Sequence, residues 1–167
     1  MKPKYIHAHM RTAENYAQLS TARRLQVGAI LVKEDRIISI GYNGMPAGWD
    51  NTCEDTFFVA EDRARDYDTM VAEGYTFGAD KDTAGWVKTV TKPQVLHAEA
   101  NAIAKVARSP ESAEGAVLFV THAPCMECAK LVYQSGISQV FWGKNYRSED
   151  GLNFLRQAGV TVTQVEG

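Results

Sequence analysis

The second half of the chain alternates between helix-like and strand-like segments, and this alternation restricts the possible folds more than any other feature. Short apolar runs predict buried strands, and longer segments with apolar residues on one face predict the helices between them. The predicted strands cover 116–121, 138–142 and 160–165, and the predicted helices cover 98–108, 125–134 and 150–158. Strands joined through helices run parallel to one another, so the pattern predicts an α/β sheet covered by helices.

The first half predicts a helix, a hairpin and an insertion. The helix is expected over 5–20, and the two strands of the hairpin over 27–32 and 37–42. From about 50 to 93 the chain becomes polar and is interrupted by glycines, with a helical piece expected near 56–73. We therefore predict a three-layer α/β/α sandwich with a five-stranded mixed sheet, forming a single domain over 1–167 with an insertion at about 50–93.

The composition is that of an ordinary globular domain and argues against several classes of protein. The 167 residues are 45% apolar and 23% charged, and the formal net charge is −2. A protein that grips a long nucleic acid usually carries a basic excess, so no nucleic-acid partner is expected. No apolar run approaches the ~18 residues of a membrane span, and the N-terminus lacks the apolar stretch of a signal peptide. Three cysteines, an odd count, favour metal binding or free thiols in the cytoplasm.

Two short motifs contain the residues of a catalytic zinc site. LHAEANAI contains His97 and Glu99, and THAPCMEC contains Cys125 and Cys128. One imidazole and two thiolates suit Zn²⁺, and three protein ligands leave a fourth position open, as catalytic zinc sites do. Both motifs begin predicted helices, where unsatisfied N–H groups and the helix dipole favour thiolates. The i, i+3 spacing puts the two sulfurs on one side of their helix.

Glu99 is the acid placed to move protons at this site. Zinc lowers the pKa of a bound water toward ~7, and the resulting hydroxide can attack C4 of a cytosine ring. A carboxylate near the metal but not bound to it can carry protons to ring N3 and to the leaving ammonia. His-x-Glu followed by Pro-Cys-x-x-Cys is the signature of zinc-dependent base deaminases. The sequence therefore predicts hydrolytic deamination of a cytosine-type base.

Several of these residues also fit plainer interpretations. A Cys-x-x-Cys pair alone is typical of a structural zinc site or a redox pair. His122, near the end of a predicted strand, fits a pocket-lining role or a fourth zinc ligand. Cys53 fits a free thiol or part of a second zinc site. His7 and His9 are expected to be surface residues.

The chain resembles the deoxycytidylate (dCMP) deaminase family over nearly its whole length except parts of 50–93. The matching segments are VGAILV, GYNGMPAG, HAEANAI, THAPCMEC, YQSGISQVFWGKNY and LRQAGV. GYNGMPAG is the most specific of them, because other zinc deaminases with His-Ala-Glu do not usually carry it. The resemblance implies a cytidine-deaminase-like sandwich that converts dCMP to dUMP and ammonia, in the supply of dUMP for dTMP synthesis.

The resemblance also implies roles for individual residues. His97, Cys125 and Cys128 match the zinc ligands and Glu99 the proton carrier, while Asn43 matches an asparagine whose amide bonds the sugar's 3′-hydroxyl. Tyr146 matches an aromatic near the base and phosphate. Ala98 and Ala123, beside the ligand motifs, are expected to contact substrate.

Family members are commonly hexamers that dCTP activates, with Mg²⁺ as its partner, and that dTTP inhibits. The resemblance places the effector site near Asn43, Gly44 and Pro46; the alternative is that this loop only turns the chain and supports the pocket. Arg23 or Arg24 can hold the 5′-phosphate, since a guanidinium bonds phosphate bidentately, or each can be a solvated surface residue. Two rival functions remain: a deaminase of a base in RNA or DNA, and a noncatalytic zinc module.

Overall fold

A computed structural model describes residues 1–80 and 83–165 of the chain. The helices are α1 (Pro3–Ala17), α2 (Tyr67–Ala72), α3 (Ala98–Val106), α4 (Met126–Gln134) and α5 (Asp150–Gln157). The strands are β1 (Gly28–Lys33), β2 (Arg36–Tyr42), β3 (Glu54–Ala60), β4 (Thr76–Asp80), β5 (Thr83–Thr91), β6 (Val117–His122), β7 (Gln139–Lys144) and β8 (Thr161–Gln164). Within the described residues, no helix is long and apolar enough to cross a membrane.

Five strands form the central sheet in the order β2-β1-β6-β7-β8. The hairpin strands β2 and β1 are antiparallel, and β1 pairs antiparallel with β6. The strands that helices connect, β6, β7 and β8, run parallel. The predicted five-stranded mixed sheet is therefore confirmed. The hairpin turns at Glu34 and Asp35, whose φ angles of 51° and 58° match the positive values that tight hairpin turns require.

Alternate residues of the central strands face two separate apolar cores. Ala29 and Leu31 of β1 lie in one core with α3, α4 and α5, whereas Ile30 and Val32 lie in the other with α1. The same alternation places Phe119 of β6 on the α1 side, where its ring stacks on Phe141 with 4.9 Å between centroids. Helices thus cover both faces of the sheet, which confirms the predicted three-layer arrangement.

One histidine that the sequence places on the surface is partly buried. His7 is exposed, but the ring of His9 packs against Phe119 with 5.0 Å between centroids. This burial lowers the pKa of His9 below its usual value. The prediction for His9 was wrong because α1 turns this residue toward the sheet, where the Phe119 ring offers an apolar surface.

Strands β3, β4 and β5 form a second, three-stranded antiparallel sheet in the order β3-β5-β4. The helix predicted near 56–73 is therefore wrong over most of its length, because only Tyr67–Ala72 is an α-helix. Residues 56–60 are β-branched, aromatic or small, and they pair with the similarly β-prone β5. Phe58 covers Gly85 of β5, where a side chain would leave no room for its ring. This distant pairing, not local helix propensity, decides the structure of the segment.

Candidate active site

The two zinc-binding motifs meet because α3 and α4 begin side by side. His97 is the N-cap of α3 and Cys125 is the N-cap of α4, so both have extended backbone and precede the first helical residue. Cys128 and Glu99 lie in the first turns of these helices and are buried. Unpaired N–H groups and the positive dipole ends of two helices therefore surround this point.

The nitrogen and sulfur atoms of the motifs are spaced as zinc requires. The ligand atoms of His97, Cys125 and Cys128 all lie within 4.8 Å of one another. His97 Nδ1 is 3.5 Å from Cys125 Sγ and 3.4 Å from Cys128 Sγ. Tetrahedral zinc with Zn–N of about 2.0 Å and Zn–S of about 2.3 Å separates nitrogen and sulfur by about 3.5 Å. The residues present fit a single zinc ion with one position left open.

The two cysteines differ in acidity within this group. Hydrogen bonds from the Cys128 thiol and from His97 lower the pKa of Cys125 to about 3. The same contact with Cys125, together with burial, raises the pKa of Cys128. The hydrogen bond to Cys125 raises the pKa of His97. These shifts favour the thiolate at Cys125 over that at Cys128, and because zinc ligands must be deprotonated, binding of a dication to the group releases protons.

Glu99 is placed to exchange protons rather than to bind the metal. Its side chain is only 4% exposed, and burial raises the pKa of the carboxyl above its usual value. It lies outside the three-residue ligand group but lines the same cleft. A buried carboxyl with a raised pKa beside an open metal position can both accept and donate a proton near neutral pH.

Two residues of the ligand group, His97 and Cys125, line a cleft of about 260 Å³ that admits a small molecule. Most of the residues predicted to contact substrate line it, namely Arg24, Asn43, Ala98, Ala123 and Tyr146. Arg23 does not line the cleft, and its side chain is exposed to solvent. His122 lines the cleft as well; its Nδ1 lies 3.0 Å from Thr121 Oγ1, and it is outside the three-residue ligand group.

The Asn43 amide already holds the backbone on one side of the cleft. Its Oδ1 accepts the N–H of Val27 at 2.8 Å, and its Nδ2 donates to the carbonyl of Leu25 at 2.8 Å. One further donor and one lone pair of the amide remain to meet a ligand. The structure therefore gives Asn43 a role in shaping the cleft in addition to the sugar contact that the resemblance implies.

The loop after β2 is tied to the start of the metal site. The Gly44 N–H donates to the Leu96 carbonyl at 3.1 Å, and the Leu96 N–H donates to the Gly44 carbonyl at 2.9 Å. Leu96 directly precedes His97. The Gly44 N–H is thus already bonded within the protein, so a triphosphate at this loop would have to be bound by other groups. Neither Gly44 nor Pro46 lines the cleft.

Sequence reasoning did not identify three polar residues of the cleft: Glu54, Thr91 and Arg147. Arg147 directly follows Tyr146, and its guanidinium lies 5.7 Å from the Tyr146 ring centroid. Its position next to Tyr146, which the sequence predicts to line the pocket, was the one feature that could have identified Arg147. Glu54 and Thr91 lie in the segment read as an insertion, where no motif marks them. Cys53, beside Glu54, is a buried free thiol 3.3 Å from Thr21 Oγ1.

The chain is similar to known deaminases along most of its length. The family model for the cytidine and deoxycytidylate deaminase zinc-binding region matches residues 3–144. Deoxycytidylate deaminase of Enterobacteria phage T4 is 35% identical over 84% of this chain and 79% of its own length. ComE operon protein 2 of Bacillus subtilis is 31% identical over 88% of this chain, which spans 64% of that protein.

A solved structure gives the same result for the fold. The dCMP deaminase of cyanophage S-TIM5, in complex with dCMP and dUMP, is 37% identical with a TM-score of 0.75. The match covers 99% of each chain, including the second sheet. The chain belongs to the cytidine and deoxycytidylate deaminase family of hydrolases.

Proposed function

We propose that this protein deaminates dCMP hydrolytically to dUMP and ammonia, with zinc held by His97, Cys125 and Cys128. The observation that carries the proposal is the three-ligand group and the buried Glu99 in a cleft of about 260 Å³. The likeness to a phage enzyme whose structure contains dCMP and dUMP supports this choice of substrate.

Glu99 performs the proton transfers in the proposed reaction. When bound, zinc supplies a Lewis acid that makes water nucleophilic near neutral pH. The Glu99 carboxylate takes a proton from the attacking water and passes it to ring N3. It then takes the remaining proton of the new C4 hydroxyl and delivers it to the amine, which leaves as ammonia when the C4–N bond breaks. Burial keeps the carboxyl away from bulk water, and its raised pKa matches a group that must both gain and lose a proton. Ala98 and Ala123, both buried, leave space for a flat ring beside it.

Arginines at the cleft suit a 5′-phosphate. Arg24 and Arg147 both line it, and their guanidinium groups can bond phosphate oxygens bidentately. Arg23 does not line the cleft, so we assign the phosphate to Arg24 and Arg147. Tyr146 lies beside Arg147 and also lines the cleft, where its ring can contact the base.

A base within RNA or DNA is the second candidate substrate, since the same zinc chemistry serves enzymes that act on strands. Binding a strand requires a basic groove with stacking aromatics. The formal net charge of −2 favours the mononucleotide. A noncatalytic, zinc-binding function would not explain why the Glu99 carboxyl is buried beside the ligand group.

A substrate panel tests the proposal. The zinc-loaded protein is assayed with cytidine, deoxycytidine, CMP, dCMP, dCTP and a cytosine-containing oligonucleotide. We expect the highest kcat/KM for dCMP, at least ~10²-fold above deoxycytidine, because charge-assisted contacts to phosphate contribute about 1.5–3 kcal/mol each. Equal kcat/KM for dCMP and deoxycytidine, or preference for the oligonucleotide, would refute the substrate assignment.

We further infer a regulated hexamer in which dCTP, as its Mg²⁺ complex, activates and dTTP inhibits. The effector site is proposed near Asn43, Gly44 and Pro46. The paired hydrogen bonds between Gly44 and Leu96 occupy the Gly44 N–H, and they connect the loop to the residue before His97, which is the route by which an effector bound at the loop would act on the metal site. The Asn43 contacts with 25–27 provide a second connection to the cleft.

A further inference from the structure

Two paired residues at one end of the second sheet both contact Arg24. Glu54, the first residue of β3, pairs with Thr91, the last residue of β5. Both line the active-site cleft beside Arg24. Neither residue belongs to the zinc motifs, and the proton transfers described above do not use them.

Glu54 holds the backbone of Arg24. Its carboxylate is buried, with 3% of the residue exposed. Glu54 Oε1 accepts the backbone N–H of Arg23 at 2.9 Å and that of Arg24 at 3.2 Å. A carboxylate that accepts two main-chain N–H bonds out of water fixes the turn that bears them, because breaking either bond leaves a buried charge poorly satisfied.

Thr91 holds the other end of the same residue. Arg24 Nη1 donates to Thr91 Oγ1 at 3.3 Å. An unrestrained arginine on the surface occupies many rotamers, and each must be given up when a ligand binds. With its backbone fixed by Glu54 and its guanidinium directed by Thr91, Arg24 is already oriented along the cleft wall before substrate arrives.

We propose that Glu54 and Thr91 are positioning residues that set the preference for a 5′-monophosphate by holding Arg24 in place. The proposal rests on the function proposed above, in which Arg24 binds the phosphate. The second sheet thereby takes part in substrate selection, because Glu54 and Thr91, which pair at one end of it, orient the arginine that binds the substrate's phosphate. Bidentate phosphate binding depends on such orientation, since the planar guanidinium must meet two oxygens at once.

The test measures the ratio of kcat/KM for dCMP to kcat/KM for deoxycytidine in matched variants. Thr91→Val should lower the ratio by roughly 3–10-fold, the range for one hydrogen bond, through KM for dCMP and not through kcat. Thr91→Ser keeps the hydroxyl and should restore the ratio. Thr89→Val makes the same chemical change two residues earlier on β5, where the residue pairs with Thr56, and should leave the ratio unchanged.

Two variants of Glu54 test whether its side-chain oxygen is needed as a hydrogen-bond acceptor. Glu54→Gln keeps a carbonyl oxygen for the two N–H groups and should lower the ratio less than Glu54→Ala does. Thermal unfolding of each variant shows whether the fold survives. If Glu54→Ala does not fold, the Thr91 variants decide the question alone.

Combining Thr91→Val with Arg24→Ala separates positioning from general damage. Once Arg24 is gone, Thr91→Val should have no further effect on the ratio. If the losses in the ratio multiply in the double variant, the positioning role is overturned. It is also overturned if Arg24→Ala lowers the ratio while Thr91→Val leaves the ratio of the unmodified protein unchanged. Neither outcome affects the phosphate assignment. An unchanged ratio in Arg24→Ala would overturn both this role and the phosphate assignment, while deamination of dCMP is read directly in the same assays.

Discussion

The zinc ligands reach one another because each motif places its first ligand at a helix N-cap. His97 and Cys125 precede the first residues of α3 and α4, and Cys128 follows one turn into α4. Hydrogen bonds from the Cys128 thiol, from His97 and from the Cys128 backbone N–H lower the pKa of Cys125, and the positive ends of the helix dipoles favour a thiolate at the same point. Metal binding and helix packing are therefore coupled at this point.

Replacing one sulfur should remove the metal. We expect one zinc per chain in the unmodified protein and well under one in Cys125→Ser or Cys128→Ser, with a lower Tm, as metal analysis and thermal unfolding will show. Cys53→Ser is the matched control, because Cys53 is a free thiol outside the ligand group. Full zinc occupancy in both ligand variants would contradict the assignment.

Replacing the proton carrier should leave the metal in place. Glu99→Gln preserves shape and hydrogen-bonding capacity but cannot exchange protons, so kcat should fall at least ~10²-fold while zinc content and fold are retained. Steady-state kinetics and metal analysis on the same preparation measure both. Normal turnover in this variant would contradict the proton-transfer role of Glu99.

The sequence predicts the role of a site residue when a motif defines the chemistry of that residue. It does not predict the role of a residue that reaches the site only through the folding of distant segments. The ligand motifs predict a group that the structure indeed brings together, because ligand type and spacing alone define them. Glu54 enters the cleft because β3 pairs with β5, which brings Glu54 opposite Thr91, 37 residues further along the chain. The bonded N–H of Gly44 was equally hidden, since its partner Leu96 is distant in sequence.

At the scale of elements, the regular α/β part follows from local pattern and the second sheet does not. Every helix and strand predicted outside 50–93 exists, with ends shifted by at most three residues. The sequence of 56–73 suggests a helix because acidic residues and alanines interrupt the β-prone residues. Only the pairing with β5 makes residues 56–60 a strand. We propose that both sheets belong to a single domain and that 54–91 is an insertion within it.

Close packing of β2 on α3 should make Gly41 intolerant of any side chain. A Cβ at Gly41 would lie 2.1 Å from the Ala98 carbonyl oxygen, so the backbone of α3 would have to move. Gly41→Ala should therefore cost about 1–3 kcal/mol or more in the free energy of unfolding, measured by denaturant titration. Gly44→Ala is the control, because a Cβ there meets no atom within 4 Å. Equal stabilities of the two variants would contradict this packing.

At the scale of the whole molecule, the proposed regulation depends on connections between the loop after β2 and the cleft. The paired hydrogen bonds between Gly44 and Leu96 connect the loop to the residue before His97, and we propose that an effector bound at the loop shifts His97 through them. The proposed hexamer would have the mass of six 18.4 kDa chains in light scattering.

Saturation curves test the regulation. With Mg²⁺ present, dCTP should move the dCMP curve to lower concentrations and dTTP should move it to higher ones. Glu99→Gln should bind both effectors at equilibrium while turning over little substrate. A hyperbolic curve that neither triphosphate shifts, with no effector binding, would remove the regulatory proposal and leave the catalytic one intact.

The most direct test of the central claim follows the atoms of the reaction itself. Zinc-loaded protein is incubated with dCMP in ¹⁸O-labelled water, and the products are measured by mass spectrometry and ammonia assay. We expect one dUMP and one ammonia for each dCMP consumed, with one solvent ¹⁸O at C4 of the uracil ring. Recovery of unchanged dCMP from protein that carries one zinc per chain would contradict it.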